Sequence, residues 1–124
     1  MKRILIISQY FWPEEFSINN VALELSSRGY CVDILTGLPN YPSGKLFPEY
    51  KKNREKFNKI NNVKIFRVPM WLRGSSRISL FLNYISFPIS ASLYCIFKLR
   101  NKSYDGILAV QLSPIFSVLP AIVL

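Results

Sequence analysis

The chain has 124 residues, half of them apolar, and a formal net charge of +9. This length and composition exclude a disordered or low-complexity chain and allow a single domain that buries roughly two-thirds of its unfolded surface. The absence of histidine removes the most common general base and metal ligand. Cys31 and Cys95 lie in separate apolar runs and form no zinc or disulfide pattern, so we expect free thiols in a reducing compartment.

Positive charge is concentrated in the middle of the chain. Ten lysines and arginines lie between residues 45 and 77, where Glu49 and Glu55 are the acidic residues that oppose them. Such a field attracts phosphate groups, whether in nucleic acid, anionic lipid or a diphosphate substrate. A solvated basic surface explains the same charges equally well.

Two apolar runs and the segment between them predict a strand, a helix and a second strand. Ile4 to Ser8 and Cys31 to Thr36 have the length and apolar character of strands covered on both faces. Ser17 is placed to cap the helix, and Gly29 fits the left-handed position after it. Apolar residues at helical spacing are Ile18, Val21, Ala22 and Leu25. The three elements predict a βαβ unit of a parallel sheet.

The segment from Thr36 to Lys45 leaves the carboxyl end of the second predicted strand. Two prolines and two glycines in it disfavour helix and strand, while Asn40, Tyr41 and Lys45 supply donors, a ring and a positive charge. Ligands of open α/β sheets bind beyond the carboxyl ends of strands. This long, stiff segment, the Thr36 loop (Thr36 to Lys45), is therefore a candidate ligand site.

The rest of the chain continues the alternation of strand and helix. Lys51 to Asn62 is basic and polar and predicts a short helix, and Val63 to Val68 predicts a third strand. Asp105 to Val110 predicts a fourth strand, and a helix from Ile115 to Leu124 follows Ser113-Pro114. That last helix ends while still apolar, so we expect residues 1–124 to be an incomplete domain that normally continues.

Ile78 to Phe97 carries no formal charge over twenty residues, a length that can span a bilayer. Helical spacing divides the segment into a polar stripe (Ser79, Asn83, Ser86, Ser90) and an opposite apolar face (Ile78, Leu82, Ile85, Ile89, Ile96). Pro88 interrupts its middle. We favour a crossover helix packed on the sheet, ahead of an amphipathic helix that also touches the membrane surface. A true span ranks last because it would destroy the strand–helix alternation.

The connection after the first strand, Gln9 to Glu15, shares the sheet edge with the Thr36 loop. It contains no glycine-rich nucleotide motif. Its aromatic residues offer ring faces to a sugar or a lipid-linked substrate, although they can equally well cover the sheet edge. Glu14 or Glu15 is a candidate base, but acids before a helix also complement its dipole.

Two arginines flank the end of the third predicted strand. Arg67 and Arg73 are placed to hold a diphosphate, with surface solvation as the competing explanation. The sequence bears on two further classes of function. A non-catalytic domain that binds the membrane surface through its basic face is the first alternative. A nucleic-acid binder is disfavoured, because no recognition motif is present and the aromatic residues do not alternate with the basic ones.

Three segments together resemble a known family. They are Lys2-Arg3-Ile4-Leu5-Ile6-Ile7-Ser8-Gln9-Tyr10-Phe11-Trp12-Pro13-Glu14, Leu23-Glu24-Leu25 with Arg28-Gly29-Tyr30, and Thr36-Gly37-Leu38-Pro39-Asn40-Tyr41-Pro42-Ser43-Gly44-Lys45. The chain resembles the N-terminal, Rossmann-like domain of family 4 glycosyltransferases of the GT-B type. With Arg67-Val68-Pro69 and Leu82-Asn83-Tyr84-Ile85-Ser86-Phe87, it looks most like bacterial enzymes that add amino-deoxy sugars such as N-acetyl-L-fucosamine.

The resemblance implies a truncated, doubly wound parallel sheet and a retaining transfer of a sugar. The donor would be a nucleotide-sugar, UDP-linked, and the acceptor a polyprenyl-diphosphate-linked saccharide of O-antigen, lipopolysaccharide or capsule biosynthesis. The enzyme would be peripheral to the inner face of the plasma membrane. In the family the C-terminal domain binds the nucleotide and carries an E-x7-E motif, which is absent here, so we expect this chain alone to be inactive. The family's glycine pair after the first strand and histidine after the fourth are replaced by Gln9-Tyr10 and Gln111-Leu112-Ser113-Pro114.

The residues that the loops and the resemblance assign to substrate binding are Gln9, Pro13, Glu14, Asn40, Tyr41, Lys45 and Arg67. No metal, cofactor or nucleic acid is expected, and no residue is assigned to catalysis.

Overall fold

A five-stranded, mostly parallel sheet with helices on both faces forms the core of the chain. The computed structural model describes residues 1–41, 43–72, 74–110 and 120. Its strands are β1 (Arg3–Ile7), β2 (Cys31–Thr36), β3 (Lys59–Ile60), β4 (Val63–Arg67) and β5 (Gly106–Ala109). Its helices are α1 (Ser17–Ser27), α2 (Pro48–Lys52) and α3 (Arg77–Tyr94). The predicted α/β class with a parallel sheet is confirmed.

The strands lie in the order β3-β4-β2-β1-β5. β1, β2, β4 and β5 run parallel, whereas β3 is antiparallel to β4. The chain moves outward from β1 through β2 to β4, and then returns to pair β5 with the free side of β1. The strand order therefore reverses beside β1, where open α/β sheets form their ligand crevice.

Alternate side chains of the strands feed two separate cores. Ile6 and Ile34 pack with Ile18 and Ala22 of α1 on one face. On the other face, Leu5, Ile7 and Leu35 pack against Phe87 and Ala91 of α3. Cys95 and Leu99, in the turn after α3, join the same core. Because both of its faces are covered, the central strand β1 is apolar from Ile4 to Ile7, as the sequence predicts.

Helix α1 differs from the prediction at its start and agrees with it at its end. Ser17 is the first helical residue and not the cap; Phe16 occupies the N-cap position without a side-chain hydrogen bond. Gly29 has a φ of 93°, and the amide of Tyr30 donates to the carbonyl of Leu25 at 3.2 Å. The left-handed helix end at Gly29 is thus confirmed.

The basic segment after the Thr36 loop is more divided than a single short helix. Helix α2 begins earlier than predicted, at Pro48, and a 3₁₀ turn follows at Glu55–Phe57. Lys59–Ile60 then forms β3, a short strand that turns back onto β4 through Asn61 at a φ of 52°. The prediction of one helix over Lys51 to Asn62 is wrong, because the stretch is divided between the end of α2, the 3₁₀ turn and β3, which pairs with β4.

The uncharged segment from Ile78 to Phe97 forms the helical crossover between β4 and β5, which is the interpretation that the sequence favours. Helix α3 continues through Pro88, which is buried, and ends in a π-helical turn at Cys95–Leu99. Its faces are not those of the predicted stripes: Asn83 lies buried, whereas Ile78 and Ile89 are exposed. Among the described residues, Arg77–Leu99 is the one helical segment long and apolar enough to cross a membrane, by length and composition only. In its most apolar 18 residues, 28% are buried inside the protein.

The predicted fourth strand is confirmed as β5 (Gly106–Ala109). The predicted helix from Ile115 to Leu124 and the segment Gln111-Leu112-Ser113-Pro114 lie outside the described residues, except for position 120. Pro42 and Arg73 lie outside them as well.

Candidate functional site

The loop that leaves β1 (Gln9 to Glu15, the β1 loop) and the Thr36 loop that leaves β2 meet at the carboxyl edge of the sheet. The amide of Gly37 and the hydroxyl of Thr36 both donate to the carbonyl of Gln9, each at 3.3 Å. A Cβ at Gly37 would lie 2.0 Å from the sulfur of Met70 and 3.2 Å from the Gln9 carbonyl oxygen. Glycine is therefore required here by close approach, and it lets the two loops run side by side.

Glu14 ties these loops together through its carboxylate. Oε2 accepts hydrogen bonds from the amides of Asn40 at 3.0 Å and Tyr41 at 2.7 Å, and Oε1 accepts one from Phe11 at 3.4 Å. The Glu14 side chain is 1% exposed and Asn40 is fully buried. One carboxylate thus organises the backbone of the β1 loop and the start of the Thr36 loop.

Burial raises the pKa of Glu14 from 4.5 to about 7. The three backbone amides and the positive charge of Arg67 oppose this shift but do not cancel it. Glu14 can therefore exchange a proton near neutral pH. A substrate does not reach this carboxylate as long as the loops hold their present positions, because both oxygens face backbone amides.

Arg67 fixes three segments at the same edge. Its guanidinium donates to the carbonyls of Trp12, Gly37 and Phe57, the last two at 3.2 Å, and lies 5.4 Å from the ring centre of Tyr50. Burial lowers the pKa of Arg67 to about 10, with Tyr50 and Glu14 opposing the change. Most of its donors are engaged by the protein itself, and its assignment to a substrate phosphate stays a prediction.

Gln9 and Asn83 form a second polar contact beside the strand-order reversal. The amide nitrogen of Gln9 donates to the Asn83 side-chain oxygen at 3.1 Å, and the Tyr10 hydroxyl donates to the same oxygen at 3.2 Å. Asn83 in turn donates to the carbonyl of Trp71 at 2.9 Å. This network connects the β1 loop to α3 and to the segment after β4.

Three aromatic rings cover the outer side of the joined loops. Tyr10 stacks on Phe16 at 5.2 Å between centroids, and Tyr41 tilts against both at 5.3 and 5.1 Å. Tyr10 is buried and Tyr41 is half-buried. The ring of Tyr41 is therefore part of a packed cluster with one side at the surface.

The remaining predicted residues lie on the same loops without joining these contacts. Pro13 follows Trp12 through a cis peptide bond and is half-buried. Lys45 is exposed, and its ammonium makes no hydrogen bond or ion pair with residues of the described ranges. The structure therefore brings together Gln9, Glu14, Asn40, Tyr41 and Arg67, whereas the side chain of Lys45 takes no part in their hydrogen bonds. Within residues 1–41, 43–72 and 74–110, no group of three acidic or cysteine side chains could hold a metal ion.

Asn83 is the main site residue that sequence reasoning did not assign. It lay in the predicted polar stripe of the uncharged helix, but nothing connected it to Gln9. The available signal was that Asn83 precedes Phe87 by four residues and Ala91 by eight, so all three lie on one side of the helix.

Comparison with protein-family models, with curated proteins and with solved structures finds no match to this chain.

Proposed function

We propose that this chain is the acceptor-side domain of a glycosyltransferase with the GT-B architecture, a Rossmann-like half of a two-domain enzyme. The reaction is transfer of a sugar from a UDP-linked donor to a polyprenyl-diphosphate-linked saccharide in O-antigen or capsule assembly. The observation that supports the proposal most is the tie from Glu14 to the amides of Asn40 and Tyr41. It joins two long loops at the sheet edge and beside the strand-order reversal, where α/β sheets bind ligands.

On this proposal the described residues have distinct tasks. Glu14 and Arg67 hold the loops, since their charges already meet backbone groups. Tyr41 and Lys45 face the acceptor, and Lys45 supplies the exposed positive charge for its diphosphate. Gln9 is buried beside them, where its amide bonds to Asn83. The nucleotide-sugar belongs to a second domain, as the family resemblance implies, so the 124 residues alone do not catalyse transfer.

The proposed partner surface is an anionic membrane. Helix α3 and the π-helical turn after it carry large apolar side chains on their outer side: Ile78 and Phe81 of α3 are 74% and 59% exposed, and Phe97 of the turn is 77% exposed. Arg77 is the first residue of α3, Lys98 lies in the π-helical turn that follows it, and Arg100 comes directly after that turn. Apolar side chains flanked by cations favour the interface of a bilayer with anionic headgroups.

A transfer assay on the full-length gene product tests the function. The assay supplies UDP-linked amino sugars and a polyprenyl-diphosphate disaccharide, and measures the formation of lipid-linked trisaccharide. Replacing Lys45 with Ala should raise KM for the acceptor at least about tenfold, because a charge-assisted phosphate contact is lost. Lys51→Ala removes an equally exposed lysine from α2 and serves as the matched control.

Wild-type kinetics in Lys45→Ala would contradict the acceptor role of the loop. Turnover by the isolated 124-residue chain would contradict the assignment of the donor to a second domain. No transfer with any nucleotide-sugar by the full-length product would contradict the enzyme proposal itself.

The exposed face of α3 also supports the second candidate, a non-catalytic domain that binds membrane surfaces. This candidate predicts salt-sensitive binding to vesicles of phosphatidylcholine and phosphatidylglycerol. Phe81→Ser with Phe97→Ser should weaken that binding, whereas Lys45→Ala should leave it unchanged. Full transfer activity together with absent vesicle binding would exclude this candidate and keep the enzyme.

A further inference from the structure

A basic cavity lies at the amino edge of the sheet, opposite the loops of the proposed acceptor site. It has a volume of about 320 Å³ and lies on the same face of the sheet as α3. Four cationic side chains line it together with one carboxylate and one amide: Arg3, Lys59, Lys64, Lys102, Asp33 and Asn62. No part of the proposed transfer reaction uses these residues.

Strand pairing is what gathers the cations. Lys64 on β4 is the register partner of Asp33 on β2, and it is also the antiparallel partner of Lys59 on β3. Like charges directly opposite each other destabilise an antiparallel pair. Neither Lys59 nor Lys64 forms an ion pair with a carboxylate of the described residues. The hairpin thus places two lysines directly opposite each other, and neither is ion-paired with a described carboxylate.

The single carboxylate of the cavity is already engaged. Asp33 is 4% exposed, and its Oδ2 accepts a hydrogen bond from the Tyr104 hydroxyl at 2.8 Å. The ammonium of Lys102 lies 3.8 Å from the same oxygen and 4.7 Å from the ring centre of Phe66. Burial and the hydrogen bond to Asp33 raise the pKa of Tyr104, so the phenol stays a donor. Asp33 therefore orients Lys102 and leaves Arg3, Lys59 and Lys64 as excess positive charge.

We infer that this cavity binds a phosphate group. Several cations that converge on a small concave site, with one amide donor from Asn62, match the donor requirement of a phosphate or diphosphate. The volume suits a small anionic group and not an extended nucleic acid. The bound group is either free phosphate or pyrophosphate, or the headgroup of an anionic phospholipid. The site is separate from the acceptor loops and does not depend on the proposed function.

The experiment compares two double variants that each remove two exposed lysines. Lys59→Gln with Lys64→Gln removes the hairpin pair, and Lys51→Gln with Lys52→Gln removes the same charge from α2 outside the cavity. One arm titrates the ¹⁵N-labelled 124-residue chain with inorganic phosphate and pyrophosphate at low salt and follows amide shifts. The other measures sedimentation with vesicles of 70% phosphatidylcholine and 30% phosphatidylglycerol.

In at least one arm, the hairpin variant should bind about tenfold or more weakly, while the α2 variant should bind like the wild type. Weaker binding of phosphate or pyrophosphate by the hairpin variant identifies free phosphate as the ligand. Weaker binding by this variant to the vesicles alone identifies a lipid headgroup. In phosphate-free buffer the hairpin variant should unfold at the same or a higher temperature, since like-charge repulsion is relieved. If the double variant does not fold, the single variant Lys59→Gln is used in its place.

Equal weakening by both double variants would show a diffuse charge effect and overturn the proposal. Undiminished binding by the hairpin variant, or no binding by the wild type in either arm, would overturn it as well.

Discussion

The buried carboxyl of Glu14 predicts a pH-dependent stability that a single substitution should remove. In an unfolded chain this group has its ordinary pKa of 4.5, whereas burial raises it to about 7 in the folded protein. Between these values the folded chain holds a proton that the unfolded chain has released. The protonated Glu14 therefore contributes its full stabilisation below pH 4.5, and the contribution is lost as the pH rises through 7.

The size of this effect follows from the two pKa values. Their difference of about 2.5 corresponds to about 3 kcal/mol of folding free energy. In Glu14→Gln the side chain does not titrate, yet its oxygen can still accept from the amides of Asn40 and Tyr41. We expect the free energy of unfolding of the wild type, relative to Glu14→Gln, to fall by about 3 kcal/mol between pH 4.5 and pH 8.

Urea unfolding followed by tryptophan fluorescence measures this difference at a series of pH values. Glu15→Gln makes the same chemical change at the exposed neighbouring residue and serves as the control. A relative stability that stays flat across this range would refute the reasoning. A relative stability that rises with pH would show that the three amides and Arg67 outweigh burial and favour the ionised carboxylate.

Four other substitutions test the framework, each by urea or thermal unfolding. Gly37→Ala should cost about 1–3 kcal/mol, because its Cβ would overlap the sulfur of Met70. Gly29→Ala meets no atom within 4 Å, so the positive φ alone should cost about 1 kcal/mol; a larger cost would contradict this. Phe87→Ala empties the core under α3 and should cost about 3–5 kcal/mol. Arg67→Lys keeps the charge but cannot reach three carbonyls at once, so a loss of about 2 kcal/mol is expected; full stability would show that those contacts are weak.

The central strands and α1 were predictable because their signals are local. β2 has the bounds that the apolar run Cys31 to Thr36 predicts, and the helix end at Gly29 follows from one residue's backbone freedom. β3 was missed because two residues, one of them lysine, carry no periodicity. It forms only by pairing with β4, and Asn61, which tolerates a positive φ, was the one local sign of the turn.

The orientation of α3 could not be read from its sequence. The predicted stripes do not mark the two sides of the helix, because Asn83 of the polar stripe is buried, whereas Ile78 and Ile89 of the apolar face are exposed. Phe87, Ala91 and Cys95 face the strands because their four-residue spacing gives one continuous contact with Leu5 and Ile7. The larger branched side chains are then left outside, a result that depends on the shape of the sheet.

The candidate site shows the same division between position and role. The carboxyl edge was predictable from the order of strand, loop and helix, and Gln9, Glu14, Asn40 and Tyr41 do lie together there. The hydrogen-bond partners of these residues were not predictable, because Glu14 becomes buried only when the Thr36 loop folds over it. The sequence does not distinguish an acidic residue before a helix that faces solvent from one that accepts hydrogen bonds from three backbone amides.

The charges at this edge define what a ligand can contact. The carboxylate of Glu14 and most donors of Arg67 meet backbone groups, so these two residues keep the loops in place. Among the described residues of the loops, the cation without an ion pair is Lys45, which is exposed at the far end of the Thr36 loop. A diphosphate that approached this edge would therefore be met by one lysine of this chain, and not by an arginine clamp. Tight binding of such a ligand then requires cations from outside these loops.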